Sequence, residues 1–130
     1  MDELVKFVCD HLNDDISRLI LNRNKWPEID IDMAISCIES RRKLKGKIQE
    51  WYDLPELIFP VKLSAEQCSS SATGRYKAEL AGRIFHTDDQ FDGNVTTTEA
   101  RNMRLADLTG GLGVDSWYFS QTAEKVLYCE

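Results

Sequence analysis

The strongest chemical signal in the chain is a glycine-rich segment near its end. Residues 106–115 place an acidic residue, Asp107, ahead of three glycines at positions 110, 111 and 113. Glycines at such a turn permit positive φ angles and let a ligand approach the backbone closely. If a strand precedes the turn and a helix follows it, the segment predicts a nucleotide site in the crevice beyond the strand.

The spacing of these residues separates the segment from other nucleotide-binding loops. A P-loop ends in Gly-Lys-Ser/Thr, which the segment does not contain. The dinucleotide pattern G-x-G-x-x-G begins at Gly111 and continues at Gly113, but Ser116 takes the place of its third glycine. Asp107, Gly111 and Gly113 do meet the pattern D-x-x-x-G-x-G. That pattern resembles motif I of class I S-adenosylmethionine (SAM) dependent methyltransferases.

A second carboxylate completes the predicted site. Glu130 stands at the tip of the apolar run that begins at Lys125. An acidic residue about twenty positions beyond such a loop can accept hydrogen bonds from both ribose hydroxyls of a nucleoside. The sequence therefore predicts that the glycine segment and Glu130 share one ligand.

The elements that must position these residues follow from the hydrophobic periodicity. Residues 3–23 predict two short helices, separated at Asn13–Asp15, and a third helix begins at Asp30 or Asp32. Ser64–Gln67 has the form of a capping box and predicts a helix that runs to about Phe85. Gly74 weakens that helix, which therefore needs tertiary support or a ligand close to its backbone.

The last third of the chain changes pattern. A polar loop over 86–95 and a short helical turn ending near Met103 precede a strand over 105–108, a helix over 114–122 and a strand over 125–130. The predicted fold class is a mostly α N-terminal helical domain, followed by the first βαβ portion of a Rossmann-like α/β domain. The predicted boundaries are 1–85 for the helical domain, 86–103 for the connector and 104–130 for the truncated SAM-binding domain.

Two stretches carry a closer resemblance. Residues 51–77 and 105–130 are similar to a Bacteroidetes family of SAM-dependent methyltransferases, which has a helical N-terminal region, a Rossmann-like domain and a C-terminal THUMP-like domain. The polar connection over 86–98 departs from the short link expected in that family. The resemblance implies SAM as cofactor and, through the THUMP-like domain, RNA as substrate, but it identifies no catalytic residues. The cofactor-binding residues that it implies are Asp107, Thr109, Gly110, Gly111, Gly113 and Glu130, with weaker candidates at Gln67, Ser69, Ser70, Thr73 and Tyr76.

The number of predicted strands limits what the chain is expected to do alone. Methyl transfer depends on precise placement of the acceptor beside the cofactor, and two strands supply only part of the crevice. We therefore expect the chain to be the N-terminal fragment of an enzyme and to be inactive by itself. Two parallel strands with open edges are also not expected to form a stable sheet alone, so we expect the end of the chain either to pack poorly or to pair with a second copy.

Composition bears on the cellular location of the protein and on metal binding. The chain has 130 residues, a net charge of −6 and no apolar run long enough to cross a bilayer, and its N-terminus does not resemble a signal peptide. These features predict a cytoplasmic protein without membrane partners. Its four cysteines are widely scattered with no C-x-x-C pair, and its two histidines lie far from each other, which predicts no metal site and favours cysteines that pack as small apolar residues.

Although the net charge of the chain is negative, one short segment is rich in basic residues. Arg41, Arg42, Lys43, Lys45 and Lys47 could contact phosphate, although such a run is more often a solvated helix end. The alternative function is therefore a helical interaction or substrate-docking module with no catalysis of its own.

Overall fold

A computed structural model describes residues 2–59, 62–85 and 103–129. Contacts within the chain divide it into two compact units, residues 1–67 and residues 68–130. The predicted domain boundaries at residues 85 and 103 stay predictions, and the polar loop and short helical turn expected between them lie outside the described residues.

The first unit is helical. Its helices are α1 (Glu3–Asp10), α2 (Ile16–Leu21), α3 (Ile31–Leu44), α4 (Gln49–Tyr52) and α5 (Lys62–Gln67), with a 3-10 turn at Arg23–Lys25. The two short helices expected within residues 3–23 are confirmed as α1 and α2. Side-chain caps explain where the next elements begin. The Asp15 carboxylate accepts a hydrogen bond from the Ser17 amide at 3.1 Å, and Asp30 accepts one from the Met33 amide at 3.0 Å.

Helix α3 supplies the centre of the apolar core of this unit. Its inward face packs against α1 and α2, and the buried core residues are Phe7, Val8, Leu19, Ile31, Ala34, Cys37 and Ile38. Burial raises the pKa of the Cys37 thiol, partly offset by a hydrogen bond from the Phe59 backbone. Cys37 therefore behaves as the expected small apolar residue, whereas Cys9, Cys68 and Cys129 are only half-buried.

Side chains of the basic cluster form hydrogen bonds with backbone carbonyls of this unit. The Arg41 side chain is only 5% exposed and donates to the backbone carbonyls of Tyr52, Leu57 (3.2 Å) and Pro55 (3.4 Å). The expectation of a solvated helix end is wrong for Arg41, because its buried guanidinium donates to backbone carbonyls of the segment that follows α4 and to the last residue of α4.

Two neighbours of Arg41 have similar roles. Arg42 donates to the carbonyls of Leu12 (2.8 Å) and Asp14. Lys47 donates to the carbonyls of Ala65 (3.1 Å) and Glu66 (2.6 Å). These bonds tie α3 and the residues after it to distant segments of the same unit, so much of the cluster serves the fold.

The single helix predicted from Ser64 to about Phe85 is divided into two helices in the structure. Ser64 lies inside α5 rather than at its start, so the capping-box interpretation is wrong. The helix that follows, α6, spans Ser71–Phe85. Ser70 caps it, since its Oγ accepts from the Thr73 amide (3.2 Å) and its carbonyl accepts from the Gly74 amide (2.8 Å). Consecutive serines offer the backbone these local hydrogen bonds, which compete with a continuous helix.

The second unit contains α6, β1 (Arg104–Asp107), α7 (Val114–Ser120) and β2 (Lys125–Tyr128). The strands are parallel, and Asp107 at the end of β1 pairs in register with Tyr128 at the end of β2. The expected sequence of strand, bend, helix and strand is confirmed. The described residues are mostly helical, with a small parallel sheet.

Close packing of α6 on α7 depends on Gly74. A Cβ atom at that position would lie 2.2 Å from Cδ2 of Tyr118, whose side chain is buried. The helix-weakening glycine therefore lets an aromatic ring of α7 rest against the α6 backbone. Tertiary support, one of the two explanations considered for this glycine, is what the structure supplies.

The length and apolarity of the helices bear on membrane association. Within residues 2–59, 62–85 and 103–129, no helix is long and apolar enough to cross a bilayer.

Candidate functional site

The carboxylate of Asp107 organises the turn that follows β1, which we call the glycine bend (residues 108–113). Its Oδ1 accepts hydrogen bonds from the Thr109 amide (3.0 Å) and the Thr109 hydroxyl (3.3 Å). Its Oδ2 accepts a hydrogen bond from the Ser116 hydroxyl at 2.7 Å. Both oxygens thus bind donors of the chain itself, so Asp107 holds the two ends of the bend together.

These donors also set the protonation of Asp107. Its side chain is only 7% exposed. Burial alone raises its pKa, but the hydrogen bonds from Ser116 and Thr109 and the charge of Lys77 outweigh that effect and hold the pKa below the ordinary value of 3.8. Asp107 is therefore an anion at neutral pH, which is the form that accepts all three hydrogen bonds.

The bend needs glycine at two positions for conformational reasons. Gly111 has φ +50° and Gly113 has φ +84°, a region that residues with a Cβ rarely adopt. Gly113 forms the N-cap of α7, and its amide donates to the Gly110 carbonyl at 2.7 Å. At Gly111, leaving aside its two chain neighbours, the nearest described atom to an added Cβ would be the Thr109 carbonyl oxygen, at 3.7 Å. The backbone of Gly111 is therefore open to a ligand.

Strand β2 closes the other side of the bend. The Gly110 amide donates to the Cys129 carbonyl, and the Cys129 amide donates to the Asp107 carbonyl, both at 2.9 Å. The Tyr128 hydroxyl donates to the Gly111 carbonyl at 2.7 Å. The bend is thus fixed by β1, β2 and α7 together.

A polar cluster connects α6 to the start of α7. Lys77 forms an ion pair with Asp115 and donates to the Ser69 hydroxyl at 3.0 Å. Ser69 in turn donates to Oδ2 of Asp115 at 3.0 Å. The other carboxylate oxygen, Oδ1, is buried and finds no hydrogen-bond partner among the residues that the structure describes. Asp115 therefore keeps one acceptor available, two positions beyond the glycine bend.

The structure gathers some of the predicted site residues and leaves others apart. Asp107, Thr109, Gly110, Gly111 and Gly113 all belong to the bend or anchor it. Among the weaker candidates, Ser69 reaches Asp115, whereas the hydroxyls of Ser70 and Thr73 bond each other at 3.0 Å. Tyr76 is exposed, Gln67 ends α5 in the first unit, and Glu130 lies outside the described residues.

Sequence reasoning missed four residues of this region. Ser116 was noted only as a departure from the dinucleotide pattern, yet a hydroxyl at the third-glycine position is the signal that could have identified it as a partner of Asp107. Lys77, Asp115 and Tyr128 come from three different elements. Their spacing carries no local signal, so only the tertiary structure brings them to the bend.

Comparison with known proteins gives one informative likeness. No protein-family model matches the chain, and no curated protein matches it. A crystal structure from Porphyromonas gingivalis W83, described as a putative methyltransferase, matches with a TM-score of 0.66 at 25% identity. The match covers 98% of this chain and 29% of that chain, so this chain spans less than a third of the length of that protein. The fold is therefore similar to part of that Porphyromonas protein.

Proposed function

We propose that the chain forms part of a class I SAM-dependent methyltransferase and that the glycine bend is part of its cofactor site. The observation that carries the proposal is the bend itself. Asp107 anchors it at both ends, Gly111 and Gly113 hold positive φ angles, and it lies at the carboxyl end of paired parallel strands. In open α/β sheets, this end of the strands is where nucleotide ligands bind. The likeness to the Porphyromonas protein supports the same interpretation.

The residues present fit the chemical groups of SAM. Because Gly111 has no side chain and, its chain neighbours aside, no described side chain lies close to the place where its Cβ would be, a nucleoside can approach its backbone closely. The buried Oδ1 of Asp115 suits a ligand that brings a hydrogen-bond donor, and the ammonium group of SAM is such a donor. Glu130 stays a predicted partner of the ribose hydroxyls.

When bound, SAM supplies an electrophilic methyl group for transfer to a nucleophile. The contribution of this chain is to bind and orient the cofactor. Asp107 keeps the bend in one conformation because its charge is matched by donors from both sides of the bend. Ser69 and Lys77 hold the start of α6 to the start of α7 through Asp115. A preformed site of this kind reduces the ordering that binding requires.

The proposal also includes the class of molecule that accepts the methyl group. We infer RNA as the substrate class of the full-length protein, on the basis of the family resemblance alone, and the fragment by itself is inferred to be inactive. The docking-module alternative receives no separate support, because Arg41, Arg42 and Lys47 bond backbone carbonyls of their own unit. Pairing of the fragment with a second copy stays a prediction.

The test is calorimetric titration of the full-length protein with SAM. We expect Asp107→Ala to weaken binding at least about tenfold, because it removes three hydrogen bonds to a carboxylate. Asp15→Ala is a matched control, since Asp15 also accepts from the amide two residues ahead (3.1 Å) but lies in the first unit. Wild-type protein that does not bind SAM, or equal affinity in the Asp107 variant, would overturn the proposal.

A further inference from the structure

We propose that Tyr128 is a positioning residue of the cofactor site, which holds the glycine bend in its binding conformation before the ligand arrives. The inference rests on the proposed function, since it assigns a role within the same site. Neither the motif around the glycines nor the acid at the end of the second strand pointed to this residue. The Tyr128 side chain makes two separate contacts with the glycine bend.

The first contact is the hydrogen bond from the Tyr128 hydroxyl to the Gly111 carbonyl, 2.7 Å long. Tyr128 is the register partner of Asp107. Partnered residues of adjacent strands project to the same face of a sheet. Each strand thus contributes a side chain that bonds the bend: Asp107 of β1 accepts from Thr109, and Tyr128 of β2 donates to Gly111.

The second contact explains Gly110. A Cβ atom on Gly110 would lie 2.2 Å from Cε2 of the Tyr128 ring and 2.6 Å from Cδ2 and Cζ. The ring thus occupies the place where a side chain of residue 110 would be. Gly110 lacks a side chain so that Tyr128 can lie on the bend, whereas Gly111 leaves its own backbone open to a ligand.

The hydrogen bond between Tyr128 and Gly111 also fixes the orientation of the Leu112 amide, which can face a ligand. No described peptide bond is cis, so the Gly111 carbonyl and the Leu112 amide hydrogen point in opposite directions from one rigid plane. When Tyr128 holds the carbonyl, it also sets the direction of the Leu112 N–H, away from the tyrosine. A glycine-rich bend would otherwise sample many conformations, and ordering it would weaken binding.

Tyr128→Phe removes the hydroxyl and keeps the ring, so it isolates the hydrogen bond. In the full-length protein we expect SAM to bind about fivefold more weakly, which corresponds to one lost hydrogen bond. Hydrogen exchange at the Gly113 amide, measured without ligand, should accelerate by a similar factor. The midpoint of thermal unfolding should change little, because Tyr128 is 43% exposed. Tyr52→Phe, a hydroxyl deletion in the first unit, is the control.

A second pair of variants tests the contact with Gly110. Gly110→Ala should weaken SAM binding more than tenfold, because its methyl group would overlap the tyrosine ring. The double variant Gly110→Ala with Tyr128→Ala removes that overlap and should recover part of the lost affinity. Far-ultraviolet circular dichroism of each variant shows whether it has folded. Recovery supports the assignment, whereas equal losses in the single and double variants would contradict it.

The outcomes separate this inference from the proposed function. If wild-type protein binds SAM and Tyr128→Phe binds it equally well, the inference fails and the proposed function stands. If wild-type protein does not bind SAM, the proposed function fails, and amide exchange then decides the role of Tyr128. Faster exchange in Tyr128→Phe supports a tyrosine that orders the bend, and unchanged exchange overturns it. A lowered unfolding midpoint with unchanged affinity would mean a purely structural role.

Discussion

Replacement of Gly74 by alanine tests the packing of α6 on α7. The new methyl carbon would lie 2.2 Å from Cδ2 and 2.8 Å from Cε2 of Tyr118, far inside van der Waals contact. Tyr118 cannot easily move aside, because it is only 3% exposed and its ring lies 4.7 Å from that of Trp117, centroid to centroid. Either the ring or the helix must shift, and the contact between α6 and α7 loosens.

Two opposing effects determine the change in the free energy of unfolding. Alanine in a helix interior is better than glycine by about 1 kcal/mol. Overpacking a well-filled site costs about 1–3 kcal/mol, and the short separation here places the cost near the upper value. Gly74→Ala should therefore lower the free energy of unfolding by roughly 2 kcal/mol.

Gly82 provides a matched control on the same helix. Apart from its chain neighbours and the backbone of its own helix, no described atom lies within 4 Å of the place where its Cβ would be. Gly82→Ala should therefore raise the stability by up to about 1 kcal/mol, so the two variants should differ by about 3 kcal/mol. Urea unfolding followed by circular dichroism measures both. If Gly74→Ala is as stable as Gly82→Ala, Tyr118 does not rest on the α6 backbone and the packing argument is refuted.

Two further predictions concern hydrogen bonds to charged groups. Ser116→Ala removes a donor that lowers the pKa of Asp107, and such a bond contributes about 1.5–3 kcal/mol. Because the folded-state pKa is depressed, that contribution is present above the ordinary pKa of 3.8 and is lost as the pH falls through the folded-state value. Urea unfolding at pH 7 and in acid should show a difference from wild type only at pH 7, and a difference of equal size in acid would count against the assignment. Arg41→Met leaves three backbone carbonyls without their donor and should cost about 3 kcal/mol or more, whereas Arg18→Met, at an exposed position in the same unit, should change stability by less than about 0.5 kcal/mol. Equal stabilities of the two arginine variants in urea would show that the buried guanidinium contributes nothing.

Features that depend on neighbouring residues could be predicted from the sequence. Asp15 and Asp30 begin helices because a short carboxylate can reach an amide two or three positions ahead. The strand, bend, helix and strand around Asp107 follow from the change in hydrophobic period and from the glycines. The same local reasoning failed at Ser64, because the capping-box pattern does not reveal that Ser70 offers a second start a few residues later.

Features that join distant residues were decided by the tertiary structure. Gly74 meets Tyr118 and Gly110 meets Tyr128 through contacts between separate elements, so each glycine by itself indicates only a weak helix or a turn. Arg41 belongs to a basic run that typically faces solvent, and only the fold shows its buried guanidinium bonded to the carbonyls of Tyr52 and Leu57. The sequence by itself determined where the chain bends after β1 and where α7 begins, because those properties depend on local backbone preferences. The tertiary structure decided which side chains hold the bend in place, because residues far apart in sequence approach one another only when the helices and strands pack.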